Sequence, residues 1–173
     1  MSVLNRKNRI KEKELLVDET IFSVANGYLG IRGSFSEGYG TKYEYNQTYL
    51  NGLYDLYDYH YEENLTGFPQ QGQRFVNLID GQKIRLTFQK NRINLDTCKI
   101  ISLERQYDLT KGYTTRKIHY QTKDNKYDFF IEEIKFVSRY IKEVIGIELK
   151  IYSPNYDGEI KVKSFLQEST RKD

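Results

Sequence analysis

Ile145-Gly146-Ile147-Glu148-Leu149-Lys150-Ile151 alternates apolar residues with small or charged ones without a break. Successive side chains of an extended strand point to opposite faces, so Ile145, Ile147, Leu149 and Ile151 share one face. A helix would scatter them around its circumference. Ser153-Pro154-Asn155-Tyr156-Asp157-Gly158 then forms a turn cluster, and Ile160, Val162, Ser164 and Leu166 read as the return strand. Both apolar faces are expected to lie towards the core, opposite one another.

The same grammar repeats towards the N-terminus. Tyr127 to Ile131 is a strand entered through Asp124-Asn125, and Ile101–Tyr107 pairs with Tyr113–Tyr120 across the link Asp108 to Gly112. Phe129 and Ile131 share a face, yet Ile134 and Phe136 have the opposite parity. The doublet Glu132-Glu133 sits at the change, which predicts a β-bulge; a pair of catalytic acids is the sharper alternative. Phe75–Ile79 and Lys83–Phe88 flank Asp80-Gly81 and read as a hairpin with Ile84, Leu86 and Phe88 on one face. Thr20–Ala25 and Tyr28–Ile31 flank Asn26-Gly27 in the same way. Helical periodicity is scarce, and Leu50 to Tyr59 is its one modest candidate. The pattern predicts an all-β, antiparallel β-sandwich.

The totals agree with one globular domain. The chain has 173 residues, of which 38% are hydrophobic and 14% aromatic, with 16 Tyr and no Trp. A domain of this size buries roughly 70% of its unfolded surface, so it needs no disulfide or metal staple. The net charge of +3 comes from 27 basic residues dispersed among 24 acidic ones, without the clustering of a nucleic-acid face. Arg6, Lys7, Arg9, Lys11 and Lys13, diluted by Glu12 and Glu14, read as a solvated terminal segment rather than a nucleic-acid arm. No run approaches the ~20 apolar residues of a membrane helix. With one cysteine, Cys98, and no signal-like apolar start, a cytoplasmic protein without nucleic-acid or membrane partners is expected.

Chemical motifs are few. His60, His119 and Cys98 have no metal-ligand spacing, and no cofactor is expected. Gly27, Gly30 and Gly33 lack the strand and helix context of a dinucleotide loop, and are read as backbone devices of a tight hairpin and its exit. Tyrosine and aspartate concentrate between Tyr39 and Tyr61. Tyr43, Tyr45, Tyr49, Asn51, Tyr54, Asp55 and Tyr57 are therefore candidates for carbohydrate contact, because aromatic faces stack on pyranoses while acids and amides bind hydroxyls. The simpler alternative is amphipathic tyrosines packed at a sandwich edge or a domain interface.

Ile21-Phe22-Ser23-Val24-Ala25-Asn26-Gly27-Tyr28-Leu29-Gly30-Ile31-Arg32-Gly33 resembles the opening of glycoside hydrolase family 65 enzymes, where a strand runs into N-G-Y-(L/I)-G-x-R-G. Thr48-Tyr49-Leu50-Asn51-Gly52-Leu53-Tyr54 is similar to the family's T-Y-I-N-G-x-Y. Leu103-Glu104-Arg105-Gln106-Tyr107-Asp108-Leu109-Thr110-Lys111-Gly112 resembles E-R-x-L-D-x-x-x-G, with Tyr107 in place of an aliphatic residue. Thr115-Arg116, Phe136-Val137-Ser138 and Asp157-Gly158-Glu159-Ile160 complete the likeness, which covers roughly residues 19 to 168.

The resemblance implies a super-sandwich of the galactose mutarotase-like type, incomplete at its C-terminal end. Residues 1–18 would be a lead-in and 19–173 the N-terminal sandwich domain. In such enzymes the sandwich packs on an (α/α)6 barrel of the same polypeptide that cleaves maltose, kojibiose or trehalose with inversion. Most use inorganic phosphate as co-substrate, bound outside this region; some use water. No catalytic residue is carried over, because the barrel motifs have no counterpart here. The implied role is non-catalytic: shaping the active-site rim and a domain or homodimer interface. A stand-alone carbohydrate-binding module is the alternative.

Overall fold

A computed structural model describes residues 2–40, 48–63 and 66–166. In chain order the elements begin with β1 (Val3–Lys7), α1 (Glu12–Ile21), β2 (Val24–Ala25), β3 (Leu29–Ile31) and β4 (Thr48–Leu50). Next come β5 (Tyr54–Asp58), β6 (Gln71–Phe75), β7 (Ile84–Phe88) and β8 (Asn91–Arg92). The long strands close the chain: β9 (Cys98–Asp108), β10 (Tyr113–Thr122), β11 (Asp128–Val137) and β12 (Ile145–Tyr152), then the shorter β13 (Ile160–Ser164).

These form one five-stranded antiparallel sheet, β1-β9-β10-β11-β12, and three smaller ones: β13-β7-β8, β2-β3-β4 and β5-β6. The all-β, antiparallel sandwich expected from alternation is what forms. The large sheet buries one face. Leu103, Ile118, Tyr120, Phe129 and Ile131 from β9–β11 pack with Leu86 and Phe88 of β7, Ile93, and Phe35 and Tyr39 of the loop after β3. Each such side chain contributes roughly 1.5–3 kcal/mol by leaving water. Ile84, Leu86 and Phe88 share one face as read, with Leu86 and Phe88 buried and Ile84 half-buried.

The N-terminal lead-in has more structure than a solvated segment. β1 pairs antiparallel with β9, Lys7 facing Glu104, and extends the main sheet. Arg6 bonds the buried Asp18 of α1 at 2.8 Å. The helix is invisible to periodicity because its inward side is Leu15 with two acids, Asp18 and Glu19, while Val17 is exposed. Its N-terminus carries a local signal, the Glu14 carboxylate accepting from Lys11 N–H at 3.1 Å. Thr20 and Ile21 thus end a helix, and only Val24-Ala25 are strand.

The first hairpin turns one residue later than expected. Ala25 faces Gly30, so Gly27-Tyr28 are the central pair, with Gly27 at φ +89°. Positive φ at the first central position alone suits glycine there. Asn26 caps the turn instead: its Oδ1 accepts from the N–H groups of Tyr28 and Leu29 at 2.9 and 2.8 Å. Gly33, at the exit, lies so close to Phe22 that an added Cβ would stand 2.7 Å from its Cβ and carbonyl oxygen.

Three further expectations are corrected by long-range pairing. Asp80-Gly81 is not a hairpin turn: Phe75 belongs to β6 against β5, whereas β7 pairs with β13 and β8. The buried Asp80 bonds Gln82 N–H at 2.9 Å and shapes an irregular crossing. β12 and β13 do not pair with each other; β12 adds to β11, and β13 crosses to β7. Val162 and Leu166 are consequently 58% and 73% exposed, and Leu149 is half-buried. Residues 54–58, within the modest helical candidate, are strand β5.

The bulge expected at Glu132-Glu133 is absent, since β11 keeps unbroken register with both neighbours. Phe129, Ile131, Glu133, Lys135 and Val137 all point inward, and Ile134 and Phe136 point out. Parity never changes; the core does. A register irregularity occurs instead between β9 and β10, where His119 faces Ser102 and Tyr120 faces Ile100.

Candidate functional site: an aromatic hairpin and a buried charge cluster

β5 and β6 form a two-stranded hairpin in which Tyr54 faces Phe75, Asp55 faces Arg74 and Tyr57 faces Gly72. One face carries Tyr54, Leu56 and Phe75. Leu56 and Phe75 are 59% and 54% exposed. Tyr49 of β4 meets Phe75 at a ring separation of 5.7 Å, and Tyr54 meets it at 5.0 Å. Asn51, in the turn after β4, donates from Nδ2 to Gly27 O at 3.0 Å and accepts from Tyr54 Oη–H at 3.0 Å. The N-G motif of the first hairpin is thereby tied to the N-G-x-Y motif of the second.

The opposite face carries Asp55 and Tyr57. Asp55 Oδ2 accepts from both Nε and Nη2 of Arg74, at 2.9 and 2.8 Å. Tyr57 and Tyr59 share a hydroxyl hydrogen bond of 2.9 Å, and rings continue through Tyr61 to Phe68. Gly72 makes room for this, since a Cβ there would stand 2.5 Å from the Tyr57 ring. The candidates therefore separate: Tyr49, Asn51 and Tyr54 converge, while Asp55 and Tyr57 lie across the hairpin. Tyr43 and Tyr45 lie outside the described residues. Asp55 is engaged by arginine. An exposed two-stranded hairpin is marginal on its own in water, so its apolar faces call for a partner surface.

The loop that follows β3 is fastened at Gly33, Ser34 and Glu37 by a buried charge cluster that periodicity did not reveal. Arg116 of β10 spans Glu37 bidentately, Nη1 and Nη2 each 2.6 Å from a carboxylate oxygen. Tyr120 Oη–H donates to the same carboxylate at 3.0 Å, and Arg116 Nε lies 3.2 Å from Glu133. Lys135 Nζ donates to Ser34 O at 2.6 Å and Gln82 Oε1 at 3.2 Å, and is 3.6 Å from Glu133. Arg105 bonds Gly33 O and lies over Phe22 and Phe35, and Arg116 sits 4.1 Å from the Phe35 ring centre.

Burial and neighbouring charges pull these groups in different directions, and burial lowers both Lys135 and Arg105. Burial by itself pushes the Glu133 carboxyl up, but Arg116 and Lys135 outweigh it and hold it below the usual carboxylate value. Burial would lower the Arg116 guanidinium, yet Glu133 and Glu37 raise it above its ordinary value. Glu19 goes the other way: burial raises it despite Arg32. Burial likewise raises the Tyr39 and Tyr120 phenols. Glycosidic cleavage requires carboxylates that flank a sugar bond. Glu37 and Glu133 instead flank Arg116, both buried. The cluster fastens the loop that carries Ser34 and Glu37. The signal for it was available, because uninterrupted parity from Phe129 already places Glu133 and Lys135 inward.

Residues 6–173 match the family described as "Glycosyl hydrolase family 65, N-terminal domain". The chain belongs to that family. The α,α-trehalose phosphorylase of Geobacillus stearothermophilus is 33% identical over 161 residues, covering 91% of this chain and 21% of the relative. The kojibiose phosphorylase of Thermoanaerobacter brockii is 30% identical over 149 residues, covering 86% and 17%. Among solved structures, a putative kojibiose phosphorylase from human microbiome superposes with a TM-score of 0.77 at 24% identity, over 93% of this chain and 21% of that one. The chain thus spans about a fifth of the length of the curated relatives it matches. The segments that resemble family 65 fall where the geometry needs them: Asn26 and Gly27 at the first turn, Gly33 against Phe22, Asn51 bridging two turns, and Arg105 and Arg116 bonded to the loop after β3.

Proposed function

We propose that the chain is the non-catalytic N-terminal sandwich of an inverting disaccharide phosphorylase, or a related hydrolase, acting on an α-glucoside such as trehalose, kojibiose or maltose. Its partner is an (α/α)6 barrel of the same polypeptide, where substrate and inorganic phosphate bind, and the whole protein is a homodimer. The observation that carries this reading is the β5–β6 hairpin, whose aromatic and aliphatic side chains are exposed on both faces. Interface cores are enriched in such aromatics. The hairpin is the surface that meets the barrel and contributes to the rim of its active site. A sugar-binding role for the hairpin itself is disfavoured, because Asp55 is bound to Arg74 and Tyr57 is occupied with Tyr59.

Hydrogen exchange on the 173-residue chain and on a polypeptide continuing into the barrel tests the proposal. Amides of residues 54–58 and 71–75 should exchange freely in the first and be protected in the second. Equal exchange in both would refute the docking role. Release of glucose 1-phosphate from trehalose, kojibiose or maltose by the 173-residue chain alone would refute the non-catalytic one.

A further inference from the structure

The outer face of the main sheet carries two parallel rows of side chains that run across the strands. Ser102, His119, Phe130 and Tyr152 stand directly opposite one another on β9, β10, β11 and β12. His119 and Phe130 stack at 4.2 Å, and Phe130 and Tyr152 at 4.9 Å with planes 8° apart. Two residues along each strand lies the second row, Lys7, Glu104, Lys117, Glu132 and Lys150, with charges alternating in sign. Lys7 is 3.2 Å from Glu104 and Lys117 is 3.3 Å from Glu132. Between the rows lies an open groove of about 380 Å³, at the lower end of the size that holds small ligands.

The aromatic row stops at Ser102. Phe130 covers one face of the His119 ring, and the other borders the space over the small Ser102 side chain. Asp128 Oδ1 lies 2.7 Å from His119 Nε2 and holds the ring upright, and Asn155 Nδ2 holds Asp128 in turn at 2.9 Å. A flat apolar wall thus stands over a slot, beside a row that alternates donors and acceptors. The alternation excludes simple charged ligands, since each lysine that would attract an anion has a glutamate beside it, and the converse holds for a cation. It suits a neutral polyol, whose hydroxyls both donate and accept. Exposed ion pairs of this kind contribute only about 0–1 kcal/mol, so hydroxyls can replace them at little cost. The charge also argues against a protein partner here, because interface cores are depleted of charged residues.

We propose that this groove is an accessory carbohydrate-binding site for a linear gluco-oligosaccharide, one pyranose seated on the free His119 face above Ser102 and its hydroxyls meeting Glu104 and Lys117. From Ser102 to Tyr152 the row crosses three inter-strand spacings of about 4.8 Å, long enough for more than one ring. The choice of glucose units rests on the family reading above; the groove itself is independent of the hairpin.

The test is titration of the 173-residue chain with maltohexaose, followed through ring resonances of His119, one of two histidines in the chain, and of Phe130. A saturable shift at both rings is expected, with His60 unmoved. Ser102→Tyr fills the slot at an exposed strand position and should weaken binding by about tenfold or more. Unchanged signals from the buried Phe129 show that the variant is folded. No saturable shift, an equal shift in Ser102→Tyr, or a response to inorganic phosphate alone overturns the proposal. Because hairpin protection is measured separately, loss of sugar binding with protection retained removes the groove and leaves the domain reading intact.

Discussion

Replacing Arg116 by methionine should be among the most damaging single changes the fold can suffer. The methionine fills much of the space but leaves Glu37 and Glu133 buried without their shared counter-ion. Removing one partner from a buried ion pair costs about 3–5 kcal/mol, and here one cation serves two carboxylates, which places Arg116→Met at the upper end. The lost contact with the Phe35 ring, 4.1 Å away, adds to it. Set against the 5–15 kcal/mol by which domains are stable, the loss removes a large share of the total. With a urea slope of about 2 kcal/mol/M, the midpoint should fall by roughly 2–2.5 M. Urea unfolding followed by far-UV circular dichroism measures it. Glu37→Gln completes a double-mutant cycle: once Arg116 is methionine, neutralising Glu37 should relieve part of the damage, so the two changes cannot add. A loss below about 1 kcal/mol, the worth of an exposed pair, or strict additivity in the cycle, would refute the idea that the cluster fastens the loop after β3.

Glu133→Gln should show the sign of that electrostatics. The folded carboxyl titrates below its unfolded value of 4.5, so its contribution is present above pH 4.5 and disappears as pH falls through the folded value. The stability gap between wild type and variant should therefore be widest above pH 4.5 and close below it; a gap that widens with acid would contradict the direction. Gly33→Ala drives a Cβ against Phe22 backbone at 2.7 Å and should cost about 1–3 kcal/mol or more in urea unfolding, whereas a neutral change would show that the approach is not close. Leu149→Ala, at a half-buried position, should cost only about 1–2 kcal/mol in the 173-residue chain, less than a fully buried leucine. A larger loss would mean that something covers β12.

Local physics settled much of this protein from its residues alone. Alternation in Tyr113–Tyr120 and Ile145–Ile151 specifies strands, because a period of two admits little else. Asp124-Asn125 turns the chain as read, with Asn125 at φ 60°. Short motifs in order along the chain pointed to the family. What tertiary structure alone decided is who pairs with whom and which charges go inside. The neighbour of β13 is β7, more than seventy residues earlier, and a strand's own alternation says nothing about distant edges. Alternation alone reads the doublet Glu132-Glu133 as a break in parity, since charged residues such as Glu133 and Lys135 are rarely buried unpaired. Arg116 stands across the β10–β11 hairpin from Glu133, but Ser34 and Gln82, which meet Lys135, are remote in sequence, and only folding brings them close enough to offset the loss of water. The inward acids of α1 escaped periodicity for the same reason: Asp18 and Glu19 are buried against Arg6, Arg9 and Arg32, so the face that a hydrophobic pattern would leave to solvent is the one that packs.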